Sequence, residues 1–225
     1  MTWNIEGRTV LITGGNSGIG KATAAALADR GADVVFTSRD RDVGMAVAAE
    51  LSEAGNGTIR SMQLDLSDSE STNSFAGRFL SETSDLGVLV NNAGVMLGSR
   101  ATSADGHEMT FRVNHLGHFQ LTCLLAERLG ASAPARVITL ASSAHYSADQ
   151  VELEPPQGRY RGFRTYSRSK LANVLFANEL ARRVEGTGVR SYAVHPGLVS
   201  TRLAQDGDSR ISGFLWKLYS PRMLT

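Results

Sequence analysis

The feature that most restricts the fold of this chain is an alternation of two kinds of segment. Short runs rich in Val, Ile and Leu occur at Thr9 to Ile12, Asp33 to Thr37, Thr58 to Leu64, Leu86 to Val90, Arg136 to Leu140 and Val189 to Val194. Runs of that length and composition read as strands covered on both faces. Between them lie Gly18 to Arg30, Arg41 to Ala54, Asp68 to Thr83, Asp105 to Gly130 and Arg164 to Glu185, most of which repeat apolar residues at three- and four-residue spacing. Such spacing is that of a helix resting one stripe on a sheet. Strands joined through helices imply right-handed crossovers and a parallel sheet. The expectation is a doubly wound α/β fold of about six strands with helices on both faces. With 225 residues and no internal repeat, linker or low-complexity tract, residues 1–225 read as a single domain.

Local punctuation agrees. Gly31, just past the first helical stretch, suits a left-handed cap before the second strand. Ser67-Asp68-Ser69-Glu70 offers an N-cap oxygen and early acidic charge to the helix that follows. Pro155-Pro156 and Gly158 break the chain before the last long helix, so Ser147 to Gly162 is expected to be irregular.

Between the first strand and first helix lies Gly14-Gly15-Asn16-Ser17-Gly18-Ile19-Gly20-Lys21. From Gly15 to Lys21 this spells the G-x-x-x-x-G-K frame of a triphosphate loop; Gly14, Gly18 and Gly20 also form a G-x-x-x-G-x-G dinucleotide turn. Both place backbone N–H groups around phosphate oxygens at a helix N-terminus. The triphosphate loop further needs Ser or Thr after its lysine to bind magnesium. Here that residue is Ala22, and Val88-Leu89-Val90 runs into Asn91-Asn92-Ala93-Gly94 rather than into a metal-binding aspartate. A dinucleotide turn is the better reading, and a tight turn without ligand is the alternative that the glycines alone leave open.

An NAD site places an acidic residue at the end of its second strand, about 20 residues after the loop, to accept the ribose hydroxyls. This chain has Thr37-Ser38-Arg39 there. Ser38 removes a carboxylate that would repel a 2′-phosphate, and Arg39 supplies a planar cation to grip one. NADP(H) is therefore expected, with NAD(H) as the alternative because Asp40 is adjacent.

Tyr166 and Lys170 are four residues apart and share one helix face. A free phenol titrates near ~10. At ~4 Å and an effective dielectric of ~20, an ammonium attracts a phenolate by roughly 4 kcal/mol, an upper limit near three pK units. The expectation is a tyrosine brought toward neutrality by its lysine. The pair follows a strand ending in Ala141-Ser142-Ser143, and strand C-terminal ends are where ligands bind in open α/β sheets.

These residues together resemble the short-chain dehydrogenase/reductase family, of the NADP-preferring type. The likeness rests on Thr13-Gly14-x-x-x-Gly18-x-Gly20, Asp65, Asn91-Asn92-Ala93-Gly94, Asn114 in VNHLGHF, Ser143, Tyr166-x-x-x-Lys170, and Pro196-Gly197 followed by Val199 and Thr201. YSRSKLANVLFANEL and SYAVHPGLVSTRL are most similar to its retinol-dehydrogenase-like branch. The resemblance implies a Rossmann-type fold and hydride transfer between a nicotinamide and an apolar alcohol, aldehyde or ketone. It implies that Tyr166 exchanges the proton, Lys170 binds the nicotinamide ribose, Ser143 polarises the carbonyl, and Asn114 holds a relay water. Gly14, Ser17, Gly18 and Ile19 would meet the phosphates; Ser38 and Arg39 the adenosine ribose; Asp65 and Leu66 the adenine; Asn92, Ala93 and Gly94 the central ribose. Pro196, Gly197, Val199 and Thr201 would flank the nicotinamide. A homodimer or homotetramer is left open.

Two departures matter. Members of that branch often carry an N-terminal membrane anchor, whereas MTWNIEGRTVLITGG has none of its features, so a cytoplasmic protein is expected. The sequence also stops at Thr225, where family members continue into a further helix and a seventh strand, and residues 198–225 read as part of a substrate loop. An NADP-binding regulatory protein without turnover is the alternative function.

Composition excludes other classes. A net charge of +1 with no long run of either sign gives no grip on nucleic acid or an acidic membrane. His115 and His118 lack an ordered third ligand, so no metal is expected. The lone cysteine, Cys123, lies in the apolar run Leu121 to Leu125 and reads as a buried core thiol.

Overall fold

The computed structural model describes residues 4–52, 57–148, 150–151 and 158–197. Six strands, β1 (Thr9–Ile12), β2 (Asp33–Ser38), β3 (Ile59–Gln63), β4 (Val88–Asn91), β5 (Ala135–Leu140) and β6 (Val189–Val194), form one sheet. All pairs are parallel, in the order β3-β2-β1-β4-β5-β6. This is the doubly wound Rossmann order, whose strand sequence reverses between β1 and β4 and leaves a crevice at their carboxyl ends.

Helices α1 (Gly18–Ala28), α2 (Arg41–Ser52) and α3 (Ser69–Glu82) follow the first three strands. The pleat divides the core in two. Val10 and Ile12 pack with Val34, Phe36, Ala24 and Ala28 on one side, while Leu11 joins Leu89, Phe75, Phe79, Leu121 and Leu125 on the other. The expected punctuation is present: Gly31 has φ +81°, and Asp68 caps α3 by accepting from the Glu70 N–H at 2.9 Å.

The fourth helical stretch is not one helix. It runs as α4 (Met109–Phe111), a π-helical turn (Arg112–Leu116), α5 (Gly117–Leu124) and α6 (Ala126–Ala131). Gly117 presses on β3's exit: a Cβ there would lie 2.7 Å from the Leu66 carbonyl oxygen. After β5 comes a 3-10 turn (Ser143–Ser147), and α7 (Gly162–Arg183) leads to β6. Pro155-Pro156 lies outside the described residues.

Cys123 corrects the sequence expectation, because its thiol is exposed rather than in the core. The apolar run around it lies on the expected helix, where Leu121 and Leu125, four apart, are buried, and Cys123 and Leu124 between them face outward. No helix among the described residues is long and apolar enough to cross a membrane.

Candidate active site

The glycine turn and the Asn91-Asn92-Ala93-Gly94 turn lie side by side because β1 and β4 are neighbours. Thr13 joins them. Its Oγ1 accepts from the N–H groups of Asn92 at 2.9 Å and Ala93 at 3.0 Å. Asn92 replies through Nδ2, donating to the carbonyls of Thr13 at 2.7 Å and Gly14 at 3.2 Å. Gly14 has φ +66°, and a Cβ on it would press within 3.0 Å of the Ala93 Cβ. A Cβ on Gly20 would meet the Gly14 carbonyl and lie 2.6 Å from Asn92 Nδ2. Ser17, extended at the start of α1, makes no side-chain cap there. The first amides of α1, Gly18 and Ile19 among them, therefore keep their donors for an anion. Side-chain-free glycines, a helix N-terminus and a neighbouring amide turn fit a dinucleotide pyrophosphate.

At the end of β2, Arg39 is exposed and Ser38 is buried. The Ser38 side chain is buried under α2, its Oγ has no partner, and a Cβ on Gly44 would lie 3.0 Å from the Ser38 Cβ. The strand's alternation turns this hydroxyl into the β2–α2 packing. Asp65 Oδ1 accepts from the Ser67 N–H at 2.9 Å and Oγ–H at 2.7 Å, and the Leu66 side chain enters the core. The groups of these two left without a side-chain partner here are their backbone and Asp65 Oδ2.

The candidate acid–base residues gather at the carboxyl ends of β4 and β5. Asn114, buried in the π-helical turn, accepts from the Val95 N–H at 2.7 Å and donates to the Val95 carbonyl and to Ser169 Oγ, each at 3.0 Å. Lys170, one α7 turn after Tyr166, donates from Nζ to the Leu140 carbonyl at 3.0 Å. Gly94 marks the convergence, since a Cβ there would lie 3.3 Å from Asn114 Oδ1 and 3.7 Å from Lys170 Nζ.

Tyr166 departs from the charge argument. Burial pushes its phenol above the ordinary value rather than below it. Lys170 Nζ sits 5.6 Å over the Tyr166 ring and is bonded to Leu140, and burial pushes its own pKa down to about 8. Desolvation of both groups outweighs an ammonium that faces the ring instead of the hydroxyl.

The two serines after β5 are placed differently. The Ser142 side chain acts on the Tyr166 phenol in the direction that lowers its pKa, against the larger effect of burial, and its Oγ accepts from the Ala144 N–H at 3.2 Å. Ser143 opens the 3-10 turn and is exposed. Ser142 continues the extended backbone at φ −159° and ψ 153°, so adjacent serines face opposite ways. Both stay at the carboxyl end of β5, where the sequence reading placed Ser143.

Pro196 and Gly197 follow β6, Gly197 with φ +81°; Val199 and Thr201 lie outside the described residues. No group of three or more potential metal ligands exists among the described residues. His115 instead bonds Asn173 Oδ1 at 3.1 Å, and His118 reaches Thr13 and Asn114. Thr13's hydroxyl and His118, neither of them given a role from the sequence, thus belong to the site's frame.

The chain matches the short chain dehydrogenase family over residues 8–211. It is 48% identical over 220 residues to mouse "Retinol dehydrogenase 12", spanning 96% of this chain and 69% of that protein. To human "Retinol dehydrogenase 11" it is 46% identical over 222 residues, 97% of this chain and 69% of the relative. A crystal structure of a putative uncharacterized protein from Mycobacterium paratuberculosis superposes with a TM-score of 0.77 at 41% identity, covering 96% of this chain and 77% of the other. The Pseudomonas aeruginosa RhlG/NADP active-site complex gives 0.75 at 27% identity, covering 90% and 77%. A dinucleotide cradle on a Rossmann sheet, with tyrosine and lysine one turn apart beside it and likeness along almost the whole chain, makes this protein a short-chain dehydrogenase/reductase, an oxidoreductase of the retinol-dehydrogenase-like branch.

Proposed function

We propose that the chain interconverts an apolar alcohol and its aldehyde or ketone using NADP(H). The observation that carries this reading is the convergence of Tyr166, Ser142, Lys170 and Asn114 beside the Gly14–Gly20 cradle. When bound, the nicotinamide supplies the hydride. A Tyr166 phenol held above its ordinary value is protonated at neutral pH, so in reduction its Oη donates the proton to the substrate oxygen. Ser142 Oγ–H donates to the same oxygen and stabilises the charge developing on it. Lys170 commits one of three N–H donors to Leu140 and keeps two for ribose hydroxyls. Asn114 fixes the Val95 backbone behind this group.

The preference for NADP(H) over NAD(H) is supported by the exposed Arg39 and by the absence of an acid at Ser38. Relatives named retinol dehydrogenase favour a long apolar alcohol as the substrate class.

A panel of apolar aldehydes, ketones and alcohols, retinal included, followed at the nicotinamide absorbance with NADPH and NADH in parallel, tests both points. Turnover with NADPH at the lower KM is expected; cofactor binding with no turnover on any member would identify a regulatory binding protein instead. Tyr166→Phe should lower kcat by roughly 10² to 10⁴ while leaving NADPH affinity within about threefold, because the hydroxyl acts only on the substrate oxygen.

A further inference from the structure

We infer that His118 is a positioning residue, a neutral histidine of one tautomer that ties the dinucleotide turn to the π-helical turn carrying Asn114. The inference rests on the function proposed above for its kinetic consequence, but its geometry stands on the chain alone.

The ring is fully buried, with Nε2 2.8 Å from Thr13 Oγ1 and Nδ1 3.0 Å from the Asn114 carbonyl oxygen. Each end independently fixes the proton. A carbonyl only accepts, so Nδ1 carries a hydrogen. Thr13 Oγ1 already receives two N–H groups, from Asn92 and Ala93. Those occupy both hydroxyl lone pairs, so its single hydrogen must be donated, and Nε2 must be bare to receive it. Its other acceptor, the Val90 carbonyl, is at 3.4 Å, a poor second to His118. The imidazolium has no place here, because a second N–H would face a hydroxyl with no free lone pair. Burial above all, with Lys170 and His115 nearby, holds the ring neutral, its pKa pushed down to about 3.

The bridge has a mechanical sense. Thr13's hydroxyl orients the amides of Asn92 and Ala93, and its own orientation is set by His118. At the other end is Asn114, whose side chain clasps Val95 and Ser169. One ring therefore sets the spacing between the cofactor turn and the π-helical turn whose Asn114 side chain holds Val95 and, in α7, Ser169, and so the frame on which an oriented hydride and proton transfer depends.

The test uses the full chain without and with NADPH. In the free protein, nitrogen-15 NMR of the imidazole should show a protonated Nδ1 and a bare Nε2, the less common tautomer of histidine. His118→Phe, of similar ring size without nitrogens, should move the amide resonances of Asn92 and Ala93 and lower kcat at least tenfold with the carbonyl KM changed less than threefold. His118→Gln, whose carbonyl oxygen accepts from Thr13 near the Nε2 position, should return kcat to within threefold of the wild type. An Nε2–H tautomer or an imidazolium at neutral pH overturns the proposal, as does a folded His118→Phe protein with wild-type kcat or unmoved amides. A wild type without turnover refutes the proposed function instead, and the NMR result still decides on the bridge. Should His118→Phe fail to fold, the tautomer and the Gln variant decide.

Discussion

Ser142 and Ser143 are adjacent and chemically identical, but their surroundings differ. One acts on the Tyr166 phenol and the other is exposed. Ser142→Ala should lower kcat for carbonyl reduction by roughly 10² to 10³, as loss of one donor to a developing oxyanion does; Ser143→Ala should stay within about twofold. Equal effects of the two substitutions would refute the assignment of Ser142. The Tyr166–Lys170 pair teaches a related point. Their four-residue separation is readable in the sequence, but the sign of the shift is not, because it depends on which part of the tyrosine the ammonium faces and how deeply both are buried.

At the scale of elements, the close approach of the β1–α1 and β4 turns explains the glycines. Gly20→Ala puts a methyl group against the Gly14 carbonyl and 2.6 Å from Asn92 Nδ2. It should cost about 1–3 kcal/mol of stability and weaken NADPH binding more than tenfold, measured by urea unfolding and by fluorescence titration. Gly77 in α3 has nothing within 4 Å of its would-be Cβ. Gly77→Ala is the control, expected to stabilise by about 0.4–1 kcal/mol. The fourth helical stretch was legible as helical from its period but not as broken. Within the π-helical turn the Asn114 side chain bonds Val95 and Ser169, residues 19 and 55 positions away. Nothing local to VNHLGHF announces it.

Across the whole molecule, burial of titratable groups gives stability a definite pH dependence. His118 is pushed down to about 3 from 6.5. Its folded pKa is depressed, so the unfolded chain takes up the proton first. The favourable contribution is complete above pH 6.5 and is lost as pH falls toward 3. Lys170, depressed to about 8 from 10.5, opposes folding while charged, and that cost is relieved as pH rises from about 8 to 10.5. Urea midpoints should therefore fall between pH 6.5 and 5, and His118→Gln should flatten this slope; an unchanged slope in that variant would assign the acid sensitivity to other groups. The sequence by itself determined the parallel order of strand and helix, the glycine cradle and the Tyr166–Lys170 spacing. Those follow from local periodicity and from residue types that tolerate one backbone geometry. Only the tertiary structure decided that Ser142 faces the phenol, that Ser38 turns inward, that Cys123 turns outward and that His118 bridges Thr13 to Asn114. Each of these depends on the phase of a strand end or helix face, or on contacts between residues distant in the chain, which a one-residue shift would reverse.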